Sequence, residues 1–289
     1  MTMADQKACI INGKELAKQV KQDVAKRAAT LREQGCAVRL DAVLAGDDSG
    51  AAMYAENQKR TCEELGIEYV LHRLDPDATY EEVAGRVLLL NEDDDVNAIM
   101  VHLPLPEGVD TDRVQSLIDV DKDVEGVNPA NIGNVVYGRR SLVPCTALAV
   151  MEMIESTGVE LCGTRCVVVG ASNIVGKPVV VLLMSAKATV ISTNIYTRDI
   201  EELIRSADVL ISATGVAGLI KGNMVKPGAV VIDVGIARIM EGGKSRTVGD
   251  VQFDEVAEVA GHLSPVPGGV GPMTVAMLLR NTIQAAERT

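Results

Sequence analysis

Residues 170–176 read Gly-Ala-Ser-Asn-Ile-Val-Gly and follow directly on the aliphatic run Cys166–Val169. A glycine at Gly170 permits a tight strand-to-helix turn, and the N-terminus of the helix beyond it would face a pyrophosphate. Ser172 stands where the full G-x-G-x-x-G pattern has its middle glycine, so the loop alone is a weak signal. Its context strengthens it. Two later strand-like runs end in Ala213-Thr214-Gly215 and Val234-Gly235-Ile236, and ligands of open α/β sheets collect at such carboxyl ends. Cofactor choice stays open between NAD and NADP. An acid after the second strand would bind a ribose 2′-hydroxyl and an Arg a 2′-phosphate. Here that stretch offers Asn194 and, further on, Arg198.

A second group of residues lies elsewhere in the chain. Tyr54 and Gln58 are four apart in a helical pattern and so share a face toward one ligand, although an ordinary half-exposed helix face has the same spacing. Val101-His102-Leu103-Pro104-Leu105-Pro106 closes an aliphatic strand, and the acidic run Asp119–Gly126 follows. A lone His at a strand end is more often packed or solvated than catalytic, and an acidic run is more often a solvated loop. Ser264–Thr274 is dense in Gly and Pro, which fix backbone direction and let a flat ligand come close, or serve only as a rigid loop.

The elements that must position these residues alternate between strand and helix from end to end, which implies parallel sheets. Helices are predicted at 12–33, 51–65 and 80–91, and strands at 38–44, 69–74 and 98–103. A turn-rich segment from 119 to 144 reads as a crossing between domains. The pattern then restarts with strands at 165–169, 189–192, 209–213 and 229–234, helices at 174–185 and 200–206, and a last amphipathic helix at 273–287. The fold class is therefore α/β with two α/β domains. With 289 residues, 47% hydrophobic, no Trp and one Phe, the cores must be aliphatic, as suits strands buried on both faces.

A net charge of −12, from 28 basic and 40 acidic side chains, argues against a nucleic-acid partner. Six scattered Cys without a CxxC pair, and three distant His, predict reduced thiols and no metal site. Neither a signal pattern nor an apolar run long enough for a bilayer stands in the sequence, so no membrane partner and a cytoplasmic location are expected.

Taken together, Gly268-Gly-Val-Gly-Pro-Met-Thr274, Leu103-Pro-Leu-Pro106, Ser172-Asn-Ile-Val-Gly176 and Asp121-Lys-Asp-Val124 resemble the bifunctional methylenetetrahydrofolate dehydrogenase/methenyltetrahydrofolate cyclohydrolase family, over essentially the whole chain. The resemblance implies an N-terminal folate-binding domain over 1–146, joined by a returning C-terminal helix at 273–289, and a Rossmann domain over 147–272. It places a tetrahydrofolate one-carbon derivative in a cleft between them, with Tyr54 stacked on the pterin and Glu125 holding its amino group. Val101, Leu103, Gly271 and Pro272 would line the substrate pocket. Gly170, Ser172, Ile174, Thr214, Gly215, Ile236 and Thr274 would meet the dinucleotide, commonly NADP in this family. A homodimer is also implied.

The sequence departs from the family pattern at three places. Gln58 stands where the family has a Lys, His102 where it has a Gln, and Glu125 where it has an Asp. Hydride transfer needs positioning more than acid–base help, whereas cyclohydrolysis must move protons. A neutral amide cannot replace a desolvated Lys in that role. Lys59 would be rotated about 100° away on the helix. His102 offers a titratable group in its place. The expected activity is the dehydrogenase, with Tyr54, Gln58 and His102 in the catalytic positions and the cyclohydrolase weak or absent. The rival readings are a dehydrogenase of similar architecture acting on another small acid, such as a shikimate-type substrate, and a folate- or dinucleotide-binding protein without turnover.

Overall fold

The computed structural model describes residues 7–139, 141–242 and 244–288. The chain begins with β1 (Cys9–Ile10) and α1 (Gly13–Glu33), and then alternates through β2 (Arg39–Leu44), α2 (Ser49–Leu65), β3 (Glu68–Arg73), α3 (Tyr80–Asn91) and β4 (Ala98–Val101). Short helices α4 (Thr111–Gln115) and α5 (Pro129–Val136) lead to α6 (Cys145–Glu155). The second half runs β5 (Arg165–Val169), α7 (Gly176–Ser185), β6 (Thr189–Thr193), α8 (Ile200–Arg205), β7 (Val209–Ser212) and β8 (Val230–Asp233). An antiparallel hairpin, β9 (Ala237–Glu241) and β10 (Lys244–Val248), precedes α9 (Phe253–Ala257), β11 (His262–Leu263) and α10 (Val270–Ala286).

Two compact units result. One holds Lys18–Cys145 and the described residues from Ala276 onward; the other holds Thr146–Val275 and the described residues as far as Ala17. The first is built on a parallel three-stranded sheet of order β3-β2-β4, the second on a parallel six-stranded sheet of order β1-β11-β8-β7-β5-β6. Both are α/β, the six-stranded one is of Rossmann type, and most of the C-terminal helix belongs to the three-stranded unit. Strands β4, β5, β7 and β8 are mainly aliphatic and almost wholly buried, as parallel strands covered on two faces must be, whereas the edge strands β1, β3 and β6 are partly exposed.

Two boundaries differ from those the sequence implied. The N-terminal residues do not stay with the three-stranded unit, because β1 pairs in parallel with β11 at the edge of the other sheet. The supposed crossing at 119–144 lies within the three-stranded unit and contains α5. Asn128 caps α5 by accepting from the Ala130 N–H at 2.8 Å, and Pro129 begins it, a start signal that the Gly- and Asn-rich composition obscured. Gly13 fixes a third point. A Cβ there would lie 1.9 Å from the Gly269 carbonyl oxygen, so α1 starts pressed against the Gly-rich loop before α10. No helix among the described residues is long and apolar enough to cross a membrane.

Asp41 anchors the middle strand of the small sheet. It is fully buried, takes both oxygens to the Arg39 guanidinium at 2.8 and 2.9 Å, and meets His72 Nε2 at 2.7 Å. Removing one partner of such a buried pair leaves the rest uncompensated, at a cost of about 3–5 kcal/mol. Arg39 also lies 3.6 Å from Asp93, which softens the loss. Asp41→Ala is expected to destabilise the three-stranded unit by about 3 kcal/mol in urea unfolding at pH 7. A change below about 0.5 kcal/mol, the level of an exposed pair, would contradict this.

Candidate functional site

In the three-stranded unit the chain leaves β2, places β3 on one side, and then returns to place β4 on the other. The carboxyl ends of β2 and β4 therefore diverge into loops on opposite sides, leaving a crevice at the switch point. The loop after β2 ends in Asp48, which caps α2 by accepting from the Ala51 N–H at 2.6 Å. The loop after β4 begins with His102, whose N–H donates to the Val43 carbonyl at 2.8 Å.

These two attachments bring Tyr54 and His102 together, ring centroids 5.8 Å apart and nearly perpendicular. Tyr54 remains 41% exposed, so part of its ring is left open. His102 is buried and shares a 3.0 Å hydrogen bond through Nε2 with the Tyr69 hydroxyl. Burial, aided by the positive charge of Arg73, lowers the His102 pKa to about 4. The ring is thus held neutral at pH 7.

Gln58 lies on the buried stripe of α2 with Ala51, Ala55 and Cys62. Neither its Oε1 nor its Nε2 has a hydrogen-bond partner among the described residues. An amide buried in that state costs free energy, of the order of 1–3 kcal/mol, until something engages it. Lys59 faces solvent, as the rotation of about 100° per helical residue requires.

The acidic run is solvated only in its first part: Asp119 and Asp121 are exposed, and the chain then turns inward. The Ile99 N–H donates to the Lys122 carbonyl at 2.8 Å, and Ile99 bridges Asp123 in parallel fashion, so residues 122–125 run beside β4. Asp123 is buried and accepts from the Asn128 N–H at 2.8 Å and the Asn131 amide at 2.9 Å. Gly126 turns the chain at φ +68°, and a Cβ there would sit 2.4 Å from the Val143 carbonyl carbon. From α10, the Asn281 amide donates to the Val124 and Val143 carbonyls at 2.9 and 3.0 Å, holding this segment in place.

Glu125 ends this register opposite Val101. Its Oε2 is buried without a hydrogen-bond partner among the described residues. Burial, with the Asp123 charge adding to it and the Val101 backbone hydrogen bond opposing it, pushes the carboxyl up to about 7. Burial and the Glu125 charge in turn raise the Tyr54 phenol to about 12. One face thus collects an open aromatic ring, a neutral imidazole and a carboxyl poised near neutrality. Leu103, 44% exposed, borders it.

The six-stranded unit repeats the device. From β5 the chain goes out to β6 and back to β7 on the other side, so Gly170 and Ala213 flank a second switch point. Gly170, at φ +106°, lies so close that a Cβ would be 2.3 Å from the Ala213 oxygen. Ser172 Oγ accepts from the Val175 and Gly176 N–H groups, both at 3.3 Å. The first helical amides are therefore held by Ser172 itself, and its own O–H remains to donate outward. Around this point Ile174, Val216 and Ile236 are 47%, 53% and 69% exposed, an apolar rim that a planar ring would cover. Gly215 turns at φ +72°, and a Cβ there would meet nothing within 4 Å, so the space beside it is open. The glycine cradle and the bare apolar rim fit a nicotinamide dinucleotide. Gly271, Pro272 and Thr274 stand in the first turns of α10, which starts three residues earlier than the sequence pattern suggested because Pro is tolerated in a first turn.

Two family models match the chain. The catalytic domain of tetrahydrofolate dehydrogenase/cyclohydrolase matches residues 11–125, and the NAD(P)-binding domain of the same family matches residues 144–289. The chain belongs to the tetrahydrofolate dehydrogenase/cyclohydrolase family. The bifunctional protein FolD of Campylobacter concisus is 45% identical over 278 residues, covering 96% of this chain and 97% of that protein. The crystal structure of the bifunctional enzyme FolD from Campylobacter jejuni superposes with a TM-score of 0.93 at 39% identity, covering 97% and 99% of the two chains. The 5,10-methylenetetrahydrofolate dehydrogenase of the silkworm Bombyx mori gives a TM-score of 0.90 at 38% identity, with 97% and 98% covered.

Within this enzyme family the chain's two site groups fall on separate units. Tyr54, Gln58, Val101, His102, Leu103 and Glu125 belong to the three-stranded unit, and the residues from Gly170 to Thr274 to the six-stranded one. Sequence reasoning missed Tyr69, Asp123, Asp233 and Asp250, all buried. The signal was present at Asp233, a lone acid ending the run Val230-Val-Ile, since an unpaired carboxylate is almost never placed in such a run.

Glu125 makes stability pH-dependent. Its pKa is about 7 against an ordinary 4.5, so its contribution to folding is complete below pH 4.5 and is lost as the pH rises through 7. Glu125→Gln removes the buried charge with little change of shape. It is expected to stabilise the protein at pH 8 by up to about 3 kcal/mol, with the gain vanishing below pH 5, in paired urea titrations. An equal effect at both pH values would contradict the assignment.

Proposed function

We propose that the protein oxidises 5,10-methylenetetrahydrofolate to 5,10-methenyltetrahydrofolate with a nicotinamide dinucleotide, and that it hydrolyses the methenyl product weakly or not at all. The observation that carries the first part is the half-open Tyr54 ring beside the buried, under-hydrogen-bonded carboxyl of Glu125. A pterin offers the matching pair, a flat ring to stack and an amino group to donate to Glu125. Leu103 and the backbone of Val101 would line the same pocket.

A nicotinamide dinucleotide, when bound, would supply the hydride acceptor. The one-carbon bridge lies between two nitrogens whose lone pairs stabilise the cation left behind, so the protein's task is placement. Tyr54 and Glu125 fix the plane and the rotation of the pterin, and thereby its one-carbon bridge; a reacting separation of about 3–3.5 Å is what such positioning must achieve. Ser172, Ile174, Thr214, Gly215 and Ile236 would hold the dinucleotide. Of the two cofactors we favour NADP. No carboxylate stands between Thr193 and Arg198, and the exposed Arg198 could meet a 2′-phosphate.

Hydrolysis of the methenyl product needs a group that can exchange protons near the carbon attacked by water. Gln58 has none, and His102 is neutral with its Nε2 engaged by Tyr69. Gln58→Lys would place an amine in the same buried stripe, where desolvation lowers a Lys pKa toward neutrality. It is expected to raise methenyltetrahydrofolate hydrolysis by about 100-fold, a typical contribution of one acid–base group, while leaving hydride transfer within a few-fold. Fast hydrolysis by the parent chain would sink the second half of this reading.

The first half is tested by following reduced nicotinamide with methylenetetrahydrofolate under NAD and NADP in parallel. Folate binding by calorimetry with no turnover under either cofactor would mark a binding protein instead. Arg198→Ala is expected to raise the KM for NADP about tenfold and leave that for NAD unchanged, the loss of one charge-assisted contact. A change shared by both cofactors would point elsewhere.

A further inference from the structure

The six-stranded unit contains two buried carboxylates that no step above uses. Asp250 follows β10 and is fully buried. Its Oδ2 accepts three hydrogen bonds: from Ser212 Oγ at 2.8 Å, from the Thr214 N–H at 2.7 Å and from Thr214 Oγ1 at 2.8 Å. The Asp250 N–H in turn donates to Asp233 Oδ1 at 3.0 Å, which also accepts from the Gly235 N–H at 2.9 Å. Asp233 Oδ2 accepts from the Val251 N–H at 3.0 Å. The loops after β7 and β8 are therefore tied to the same pair of acids from beneath.

The packing admits no slack. A Cβ at Gly235 would lie 2.0 Å from Asp250 Oδ1, and one at Gly249 would lie 1.9 Å from Asp233 Oδ2. The consequence reaches the ligand side of the β7 loop. The Thr214 N–H is spent inward on Asp250, and the Val216 N–H is spent on Thr214 Oγ1 at 3.2 Å. Gly215 N–H, between them, is engaged by no described residue. The clamp thus selects which amide of this turn is presented.

We propose that Asp250 is a positioning residue for the nicotinamide dinucleotide, setting the Thr214–Val216 turn so that Gly215 presents its backbone N–H to the cofactor. The inference rests on the cofactor reading above and goes beyond it, since Asp250 itself never touches the ligand. Three donors converge on one anionic oxygen, two of them from Thr214, and a charged acceptor holds each more firmly than a neutral one. An amide of the same shape would keep the fold and loosen the turn.

The test is calorimetry of the full chain with NADP and with NAD, beside steady-state kinetics for both substrates. Asp250→Asn is expected to weaken dinucleotide binding about tenfold while the KM for methylenetetrahydrofolate stays within twofold. Thr214→Val removes the loop side of the clamp and should weaken binding similarly, whereas Thr214→Ser keeps the hydroxyl and should recover most of that loss. Because one device is being broken twice, the Asp250→Asn/Thr214→Val double variant should be no weaker than the worse single. Unchanged dinucleotide affinity in the single variants, multiplying effects in the double, or a parallel rise in the folate KM would each overturn the proposal. Should Asp250→Asn fail to fold, Ser212→Ala decides: it removes a donor to Asp250 at a residue outside the cofactor site, so weaker dinucleotide binding supports the clamp and unchanged binding refutes it. A parent chain that binds neither dinucleotide would sink the cofactor reading and this inference with it; binding by the parent with equal binding by the variants would sink only the latter.

Discussion

A parallel strand cannot return to its neighbour through a tight turn, and this constraint organises both units. Each crossover carries the chain across a face of the sheet, so every strand delivers its carboxyl end to the same side. Where the strand order reverses, adjacent ends lead away from each other and no backbone covers the gap. In the small sheet the gap lies between β2 and β4, and in the large one between β5 and β7. His102, Leu103, Gly170, Ser172, Thr214 and Gly215 stand on the loops that leave these ends, and Tyr54 and Gln58 on the helix that the β2 loop leads into. Aliphatic strands supply rigidity, and the loops supply function.

Much of this was legible from residue patterns. The aliphatic runs at 39–44, 98–101, 165–169 and 209–212 became buried strands because Val, Ile, Leu and Ala have no reason to be elsewhere. The pairing of Tyr54 with the chain after β4 was not readable from spacing, since it depends on the register of β2 with β4. The acidic run at 119–126 misled for a related reason. Asp123 looks solvated in a sequence, but in three dimensions it is buried, and amides from Asn128 and Asn131 take the place of water. Tertiary hydrogen bonds carry no local periodicity, so neither Asp123 nor Asp250 announces its partners. The family resemblance supplied the substrate class, and only the fold explains how a Glu in place of an Asp still ends beside Val101.

The electrostatics of the face around Tyr54, Gln58 and Glu125 are costly. Glu125 is held where its charge is disfavoured, and Gln58 where its amide has no partner among the described residues. Both penalties fall away when a ligand brings donors and acceptors of its own, which is how a site trades folding stability for affinity. His102 shows the opposite choice. Its burial removes a charge from the pocket and leaves a neutral ring that shapes the Tyr54 wall. On the function proposed above, the three departures act together: Gln58 carries no exchangeable proton near pH 7, His102 is held neutral by burial, and Glu125 is left to recognise the ligand.

The six-stranded sheet ends on one side in two strands of two residues each, β1 and β11. So short a margin exposes only a few unpaired backbone groups, and a foreign strand gains little by docking there. The opposite margin, β6, is five residues long and is followed after Asn194 by Ile195 and Tyr196, 89% and 86% exposed. Strand-by-strand growth of misassembled chains, in a damaged or partly unfolded population, would therefore start from that flank and not from the N-terminal one.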